Sequence, residues 1–392
     1  MLSTRLSAPN TTTRLLRTGL GLGASLVALA AGCATSAQPK LTSPQQRADS
    51  TPSQADQWAK LGYRLDWRGF PTMLPGERVT TLEICADVLA IQESAGVVSV
   101  IETRSGQTRW SDQVAGRLTK FVGINRDGER LLVSSESEVF FYDINTGNLK
   151  AKQHLAQVVN TKPVKVNDML IYGCANGQIL GHLTLNGFRA WGSGLTGSIE
   201  TDPLLVSPSF GHVAICSTTG ELVIFDGQSG LSQGRSKIFG GPGAEMACSD
   251  TALFVASADQ SLYAYTADTA RQIWRKRTEN PLRERPVFHD GKVYCDMGAA
   301  DLKGAGGLTC FEPGSGKILW HNTKLSGHII AARGKHLLCW DGTTCSSVDP
   351  ATGVVAESVK LDNISIIKPD TFADGHLYAI SPNGIVSKLS PK

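Results

Sequence analysis

The feature that constrains this chain most is a unit of about 40 residues that recurs eight times, a period typical of repeat architectures. In each copy an apolar strand, a turn, a second apolar strand, a glycine-containing turn and a third strand follow one another. The copies begin at Val88, Leu131, Met169, His212, Ala252, Lys292, His336 and His376. One such sheet cannot bury both of its faces alone, so each copy needs a neighbour on either side.

The sixth copy shows the unit most clearly. Residues 292–295 and 308–311 are apolar runs, a Pro-Gly-Ser-Gly turn follows, and residues 317–320 form the next strand. Gly316 closes that turn, and we predict a positive φ there, which only glycine adopts at little cost. The 41 glycines of the chain, together with the lack of long helical heptads, favour turns and short strands throughout.

Several strands are apolar at successive positions, which predicts burial of both their faces. Residues 131–133 and 253–255 are examples. A pair of β-sandwiches would not produce one period eight times, and an open solenoid would not need a strand from the N-terminus to complete its last unit. The prediction is therefore an all-β fold, a monomeric eight-bladed β-propeller over residues 63–392.

The last copy ends at Lys392, before its outer strand. A missing strand would leave an exposed sheet edge, which propellers avoid. Residues 63–67 have the pattern of an outer strand, and we predict that they pair beside residues 384–390 and close the ring. Four outer strands carry a tryptophan, and Trp67 would be the fifth such residue. The four are Trp110, Trp191, Trp274 and Trp320.

Residues 1–32 have the pattern of a secretory signal. Three arginines precede an uncharged run that is rich in Leu, Ala and Gly and shorter than a typical transmembrane helix. The run ends in Leu-Ala-Ala-Gly before Cys33, which resembles a bacterial lipobox, although Ala30 stands where leucine is commonest. The sequence thus predicts a lipoprotein signal peptide over residues 1–32 and acyl chains on Cys33. The alternative is an ordinary signal peptide followed by an incidental cysteine.

Residues 33–62 connect the predicted anchor to the propeller. Ala34, where aspartate would indicate retention in the inner membrane, indicates the outer membrane, with the protein facing the periplasm. The segment up to about residue 56 is composed mainly of Ser, Thr, Gln, Pro and Ala, which is typical of a flexible tether. A short helix is predicted after it, with Thr51 as N-cap, Pro52 at the first helical position and Gly62 as the stop.

The charge balance argues against a general nucleic-acid binder. Residues 1–32 contain three arginines and no acidic residue, so their removal brings the 38 basic residues of the chain level with the 35 acidic ones. Binding to nucleic acid without a strong basic excess is not expected.

The repeats resemble those of the pyrroloquinoline-quinone (PQQ) propeller family, whose blades end in an aspartate, a Thr-Gly turn and a tryptophan. The resemblance is carried by Phe-Glu-Pro-Gly-Ser-Gly-Lys-Ile-Leu-Trp at residues 311–320, Tyr-Asp-Ile-Asn-Thr-Gly at 142–147 and Leu-Tyr-Ala-Tyr at 262–265. It implies that the tryptophans pack between blades. A large aromatic side chain on an outer strand also suits the widening gap between twisted sheets.

Two branches of this family imply different functions. The quinoprotein dehydrogenases hold a quinone and a calcium ion in the central funnel and use two adjacent cysteines, a pair that this sequence lacks. The outer-membrane assembly factors of the BamB family are lipoproteins with a polar tether and an eight-bladed propeller, and they act as scaffolds in the insertion of β-barrel proteins. The lipobox, tether, blade number and size are similar to the second branch.

Chemistry-bearing residues form no motif. The eight cysteines after Cys33 are interpreted as small buried hydrophobic residues, although Cys295 with Cys310 and Cys339 with Cys345 are candidate disulfides. The eight histidines are scattered, and no pair has metal-ligand spacing on one element. No catalytic residue, cofactor site or metal site is predicted.

A basic stretch beside a flexible loop is the candidate partner-binding rim. In a propeller, the links between blades emerge on the same face as the turns between each blade's second and third strands. The predicted link over residues 275–286 is rich in cations, and the glycine-rich residues 296–307 form a turn on that face. We expect an acidic protein segment to dock there. The cations are Arg275, Lys276, Arg277, Arg283 and Arg285.

The sequence therefore predicts a non-catalytic, membrane-anchored propeller that binds other envelope proteins, among them components of a β-barrel assembly complex. The alternatives are a quinone- and calcium-dependent oxidoreductase that uses the funnel, and a ligand-sensing surface lipoprotein.

Overall fold

The apolar runs of the eight repeats form the middle strands of eight four-stranded antiparallel sheets. The structure is a computed structural model, and it describes residues 43–50, 52–298 and 306–392. Residues 1–42, with the predicted signal peptide and Cys33, lie outside the described residues. The sheets are the blades of an eight-bladed β-propeller, so the predicted fold class is confirmed.

Each of the first seven blades uses four consecutive strands, and the chain runs through them from the innermost to the outermost. Blades 1 to 4 are β2 (Val79–Cys85), β3 (Val88–Glu93), β4 (Val97–Glu102) and β5 (Thr108–Gln113); β6 (Phe121–Asp127), β7 (Arg130–Ser135), β8 (Glu138–Asp143) and β9 (Leu149–His154); β10 (Val164–Val166), β11 (Met169–Gly173), β12 (Gln178–Leu183) and β13 (Arg189–Gly194); and β14 (Leu204–Ser207), β15 (His212–Cys216), β16 (Glu221–Asp226) and β17 (Ser232–Lys237).

The remaining blades follow the same plan except at the closure. Blades 5 to 7 are β18 (Ala247–Cys248), β19 (Ala252–Ser257), β20 (Ser261–Thr266) and β21 (Gln272–Arg277); β22 (Val287–His289), β23 (Lys292–Asp296), β24 (Leu308–Phe311) and β25 (Ile318–Asn322); and β26 (His328–Arg333), β27 (His336–Trp340), β28 (Thr344–Val348) and β29 (Val355–Lys360). Blade 8 consists of β30 (Ile366–Pro369), β31 (Leu377–Ile380), β32 (Val386–Pro391) and, as its outermost strand, β1 (Tyr63–Gly69).

Burial follows the position of a strand in its blade. The middle strands are buried at almost every residue, as in β19, because neighbouring blades cover both faces. The outermost strands are largely exposed, as in β9. The innermost strands surround the central channel and vary in length, from two residues in β18 to seven in β2 and β6.

The ring closes as predicted. Strand β1 pairs antiparallel with β32, with Tyr63 opposite Pro391 and Leu65 opposite Leu389. The N-terminal strand thus covers the edge that the last repeat would otherwise expose.

The tryptophans predicted on outer strands join neighbouring blades. Each donates its indole N–H, at 2.7–3.1 Å, to a carbonyl in the turn before the outermost strand of the next blade. A glycine of the same turn lies against the indole ring with φ between +68° and +74°. At Gly316 an added Cβ would lie 2.7 Å from the Trp274 ring, so the predicted positive φ is confirmed and a close approach also requires glycine. The pairs are Trp67 with Gly106, Trp110 with Gly147, Trp191 with Gly230, Trp274 with Gly316 and Trp320 with Gly353.

Within residues 43–62, so far as the structure describes them, two short helices precede the propeller, α1 (Pro44–Ser50) and α2 (Ala55–Lys60). The predicted start at Pro52 is wrong by three residues; the predicted N-cap Thr51 lies outside the described residues. Gln54 precedes α2, and its side-chain amide bonds both the N–H and the carbonyl of Asp362, which fixes the start of the helix on the blade 7–8 link. Gly62 follows with φ +81°, so the predicted stop is confirmed. Within the described part of the chain, neither helix is long and apolar enough to cross a membrane.

The strand order defines two faces. The link face carries the links between blades and the turns between second and third strands, and the hairpin face carries the other turns. In blade 5, for example, the N–H of Thr278 at the start of a link donates to Gln260 in the second-to-third turn at 2.7 Å.

Both candidate disulfides are excluded by strand register. Cys295 lies opposite Thr309, and Cys310 lies opposite Tyr294, so the two cysteines project to opposite faces of the sheet. Cys339 and Cys345 are offset in the same way. All eight cysteines of the described residues are free thiols, and seven are buried, as the interpretation as small hydrophobic residues requires.

Candidate functional site

The five basic residues predicted to form one rim divide into two groups. Strand β21 extends to Arg277, so Arg275, Lys276 and Arg277 belong to the outermost strand of blade 5, and their assignment to a link is wrong. Arg283 and Arg285 do lie in the link to blade 6, and both line a cavity on the propeller axis. The five cations therefore form no single patch, and their role in partner binding stays a prediction. Of the glycine-rich turn, residues 299–305 lie outside the described residues.

Arg275 lies between two aromatic rings at the edge of blade 5. Its guanidinium carbon is 5.0 Å from the ring centroid of Phe239 and 5.2 Å from that of Tyr263. It pairs with Asp259 at 2.9 Å and donates to Ser261 at 3.0 Å. Because Asp259 balances the charge of Arg275, this residue does not present a free cation to a partner. Its guanidinium contacts the Phe239 ring through a cation–π interaction.

Phe239 is a highly exposed aromatic residue near the predicted rim. It lies in the link from blade 4 to blade 5, its side chain is 80% exposed, and it borders an open pocket of about 330 Å³ with Arg277. Exposed aromatic rings and arginines are enriched in the residues that dominate protein-binding surfaces. Phe239 was not predicted from the sequence; its signal is an aromatic residue followed by two glycines in a link.

Other exposed apolar side chains occur on both faces. The link face also presents Leu118 and Val158, from the links after blades 1 and 2. On the hairpin face four such residues belong to blades 3 and 4, namely Leu185, Phe188, Phe210 and Leu231. Both faces therefore offer apolar contacts to protein partners.

A cavity of about 880 Å³ lies on the propeller axis, where its walls come from seven of the eight blades. Its lining mixes charges. Glu83 of blade 1 pairs with Lys162, which precedes the innermost strand of blade 3, at 2.7 Å. His328 of blade 7 lies 3.2 Å from Glu284, the residue between Arg283 and Arg285. The channel is thus polar and open enough to admit a small molecule.

A quinone with a calcium ion, the cofactor pair of the dehydrogenase branch, does not fit this lining. Calcium takes about six to eight oxygen ligands. The carboxylates beside the cavity already accept bonds, Glu83 from Lys162, Asp202 from the Lys162 amide and Glu245 from the Asp202 amide. Across the described ranges, no group of three or more His, Cys, Asp or Glu side chains is arranged to hold a metal ion.

Buried titratable residues in the blades have structural roles. His182 hydrogen-bonds Gln153 at 2.9 Å, and burial lowers its pKa to about 4, so the imidazole is neutral at physiological pH. Burial raises the pKa of the Cys345 thiol to about 12, which leaves almost no thiolate to act as a nucleophile.

Eight four-stranded blades, with tryptophan–glycine contacts at five of the junctions between them, define the chain as a PQQ-like β-propeller. It belongs to the family described as outer membrane protein assembly factor BamB, whose profile matches residues 94–242 and 218–306. Together these segments span residues 94–306, which is more than half of the 392 residues.

Solved structures with the same fold include a natural and a designed protein. The crystal structure of BamB from Moraxella catarrhalis superposes with a TM-score of 0.65 at 17% identity, covering 84% of this chain and 97% of that one. The computationally designed Ika8 protein superposes with a TM-score of 0.63 at 14% identity, covering 81% and 96%. At these identities the likeness concerns the fold. No curated protein matches the sequence significantly.

Proposed function

We propose that this protein is a non-catalytic, lipid-anchored scaffold that holds other proteins at the periplasmic side of an outer membrane during the assembly of β-barrel proteins. Membership of the BamB family over residues 94–306 is the observation that carries the proposal. The lipobox-like sequence before Cys33 and the polar segment after it supply the anchor and tether.

The anchor is tested by Cys33→Ala in intact cells. The unmodified protein is expected in the outer-membrane fraction and labelled by an alkyne fatty acid, whereas the variant loses the label and becomes extractable without detergent. Cys248→Ala, which changes a half-buried blade cysteine, is the control and should keep both properties. Labelling that survives Cys33→Ala would refute the lipid anchor.

Docking is tested with a photocrosslinking amino acid placed at Phe239. Because Phe239 is exposed on the link face beside Arg275, we expect it to capture a component of the β-barrel assembly machinery. Leu319 is the matched control, since it is also an exposed apolar residue but lies in the outermost strand of blade 6. If Phe239 and the hairpin-face residue Phe188 both capture no assembly component, the scaffold proposal fails.

The oxidoreductase alternative makes a separate prediction. The absorbance spectrum of the purified protein, titrated with the quinone and calcium, is expected to show no stoichiometric uptake, because the channel carboxylates are already bonded. Stoichiometric uptake together with reduction of an electron-acceptor dye would replace the scaffold with an enzyme.

A further inference from the structure

The axial cavity is covered on one side by a loop from blade 8. Residues 370–376, between β30 and β31, cross the hairpin face of blade 7, where Ala332 donates to the Phe372 carbonyl at 2.7 Å and accepts from Asp374 at 2.9 Å. The Phe372 ring lines the cavity and lies 4.6 Å from the His289 ring of blade 6. The loop therefore covers part of the cavity at the hairpin-face end.

Two lysines in the channel share one carboxylate. The ammonium nitrogens of Lys162, from blade 3, and Lys368, from blade 8, lie 2.7 Å and 3.9 Å from the same oxygen of Glu83. Lys368 also donates to the Leu82 carbonyl at 2.8 Å. One negative charge thus faces two positive charges, and the two lysines retain donors that can reach a ligand.

Arg285 adds a third cation to this cluster. It is exposed to the cavity, and among the described residues it has no ion pair or hydrogen bond. Burial lowers the pKa of Lys368 most. The negative charge of Glu83 opposes this effect, and the positive charges of Lys162 and Arg285 lower the pKa further. All three cations line the same cavity, and their charges oppose one another there.

The acidic groups nearest this cluster are partly occupied by backbone hydrogen bonds. Asp202 and Glu245 accept backbone N–H bonds from Lys162 and Asp202, at 2.8 and 2.9 Å. Burial raises the pKa of both carboxyls, and it brings that of Glu245 to about 7, so Glu245 is partly protonated at neutral pH. Two further acids line the cavity, Glu284 beside His328 and Asp370, which pairs with His376.

We propose that the central channel binds a small anion with two or more anionic groups, held by Lys162, Arg285 and Lys368. Cations that line one semi-enclosed cavity are stabilised by an anion whose oxygens accept several charge-assisted hydrogen bonds from them. The volume of about 880 Å³ lies within the range of small-molecule pockets. Carboxylate and phosphate oxygens share the required chemistry. This site is separate from the proposed docking residue Phe239.

The test is isothermal titration calorimetry of the full folded chain, purified without polyvalent anions, with citrate in one arm and inorganic pyrophosphate in the other. Saturable 1:1 binding of either probe is expected, and it should weaken at higher salt. Arg285→Gln and Lys368→Gln should each weaken binding at least about tenfold, as expected for the loss of one charged hydrogen-bond donor. Arg271→Gln changes an exposed arginine far from the axis and should leave binding unchanged.

Two further readouts separate binding from folding. Circular-dichroism melts should show that all three variants fold. The bound anion should raise the melting temperature of the unmodified chain and of Arg271→Gln equally, and that of Arg285→Gln and Lys368→Gln much less. Titrations at pH 7 in two buffers of different ionisation enthalpy should reveal proton uptake, because an anion raises the pKa of Glu245 and of Lys368. The groups facing these two residues are Asp202, Arg285, Glu83 and Lys162. Absence of saturable binding at millimolar citrate and pyrophosphate, or equal weakening by Arg271→Gln, would overturn the site.

Discussion

The junctions between consecutive blades and the junction that closes the ring attach an outermost strand to its neighbour in different ways. At the junction of blades 5 and 6, Trp274 donates to the Pro313 carbonyl at 2.7 Å and lies against Gly316 in a continuous turn. At the junction of blades 7 and 8 the corresponding turn does not exist, because β1 and β32 are paired but lie far apart in the sequence, with Tyr63 opposite Pro391.

Arg333 takes the place of the missing turn. Its guanidinium donates to the Gly62 carbonyl at 3.1 Å, bonds the carbonyl of Lys392, pairs with Asp374 at 2.6 Å and lies 5.7 Å from the Tyr63 ring centroid. One arginine of blade 7 thus joins the first and last strands of the propeller. The comparison shows that a continuous turn can be attached by one indole ring and a glycine, as at Trp274 and Gly316, whereas two separate chain segments are joined here by a multidentate donor.

Removal of the closing strand should have the largest effect. A chain that begins at Gly69 lacks the buried side chains of Trp58, Leu61 and Tyr63, whose burial contributes roughly 5–9 kcal/mol. This is comparable to the whole stability of a typical domain. We expect an open ring with an exposed β32 edge that unfolds at much lower urea and aggregates, as followed by tryptophan fluorescence and light scattering.

The control for this truncation is a chain that begins at Pro52, which retains α2 and β1. It should unfold at nearly the same urea concentration as the full chain, and a synthetic peptide of residues 52–68 should restore stability to the shorter chain. Equal stability of the two truncated chains would show that the closure contributes little.

The next largest effect is expected at the tryptophan–glycine junction. In Gly316→Ala the new Cβ must adopt φ +68° and lies 2.7 Å from the Trp274 ring, so we expect a loss of about 3 kcal/mol from backbone strain and overpacking. Gly314→Ala, two residues earlier in the same turn, meets no atom within 4 Å and should change the free energy of unfolding by less than about 0.5 kcal/mol. Equal losses would mean that the turn, and not the contact with Trp274, decides stability.

Arg333→Gln should destabilise the closed ring less than removal of the closing strand β1 does. Two carbonyls and Asp374 lose a charged donor that is only 21% exposed, so the free energy of unfolding should fall by about 2 kcal/mol in urea titrations. Arg64→Gln removes a 69% exposed arginine from the closing strand itself and should cost less than about 0.5 kcal/mol. Similar losses in the two variants would contradict the role of Arg333.

The sequence was sufficient to predict the blades and the closure because their signals are local. Apolar runs, turn glycines and tryptophans recur in each copy, and β1 is recognised as the strand that the last copy lacks. The innermost strands are harder to recognise in the sequence. Strand β18 has only two residues, and several other innermost strands contribute side chains to a polar channel, so their apolar pattern is interrupted. Gln54 fixes the start of α2 through Asp362, which is 308 positions away, so the local N-cap pattern at Thr51 was misleading.

The candidate sites depend on contacts between distant residues, and these could not be predicted. Glu83, Lys162 and Lys368 belong to three blades and meet only because the ring brings the inner edges of these blades to one axis. The basic stretch at Arg275 is contiguous in sequence, but the extension of β21 to Arg277 separates it from Arg283 and Arg285. Charge contiguity along the chain is therefore a weak guide to surface patches in a propeller.

The smallest effect is expected where a blade junction lacks a tryptophan. Between blades 4 and 5, Gly234 occupies the tryptophan position opposite Ile224, the turn of blade 5 packs directly on it, and buried Ala270 has φ +54°. Ala270→Gly relieves that strain, but it also loses a buried methyl group and increases the entropy of the unfolded chain. Because these effects nearly cancel, the free energy of unfolding should change by less than about 1 kcal/mol. Urea unfolding beside Gly316→Ala checks this, and a loss near that of Gly316→Ala would show that both junctions need glycine. A small change would instead show that the indole ring imposes the requirement for glycine.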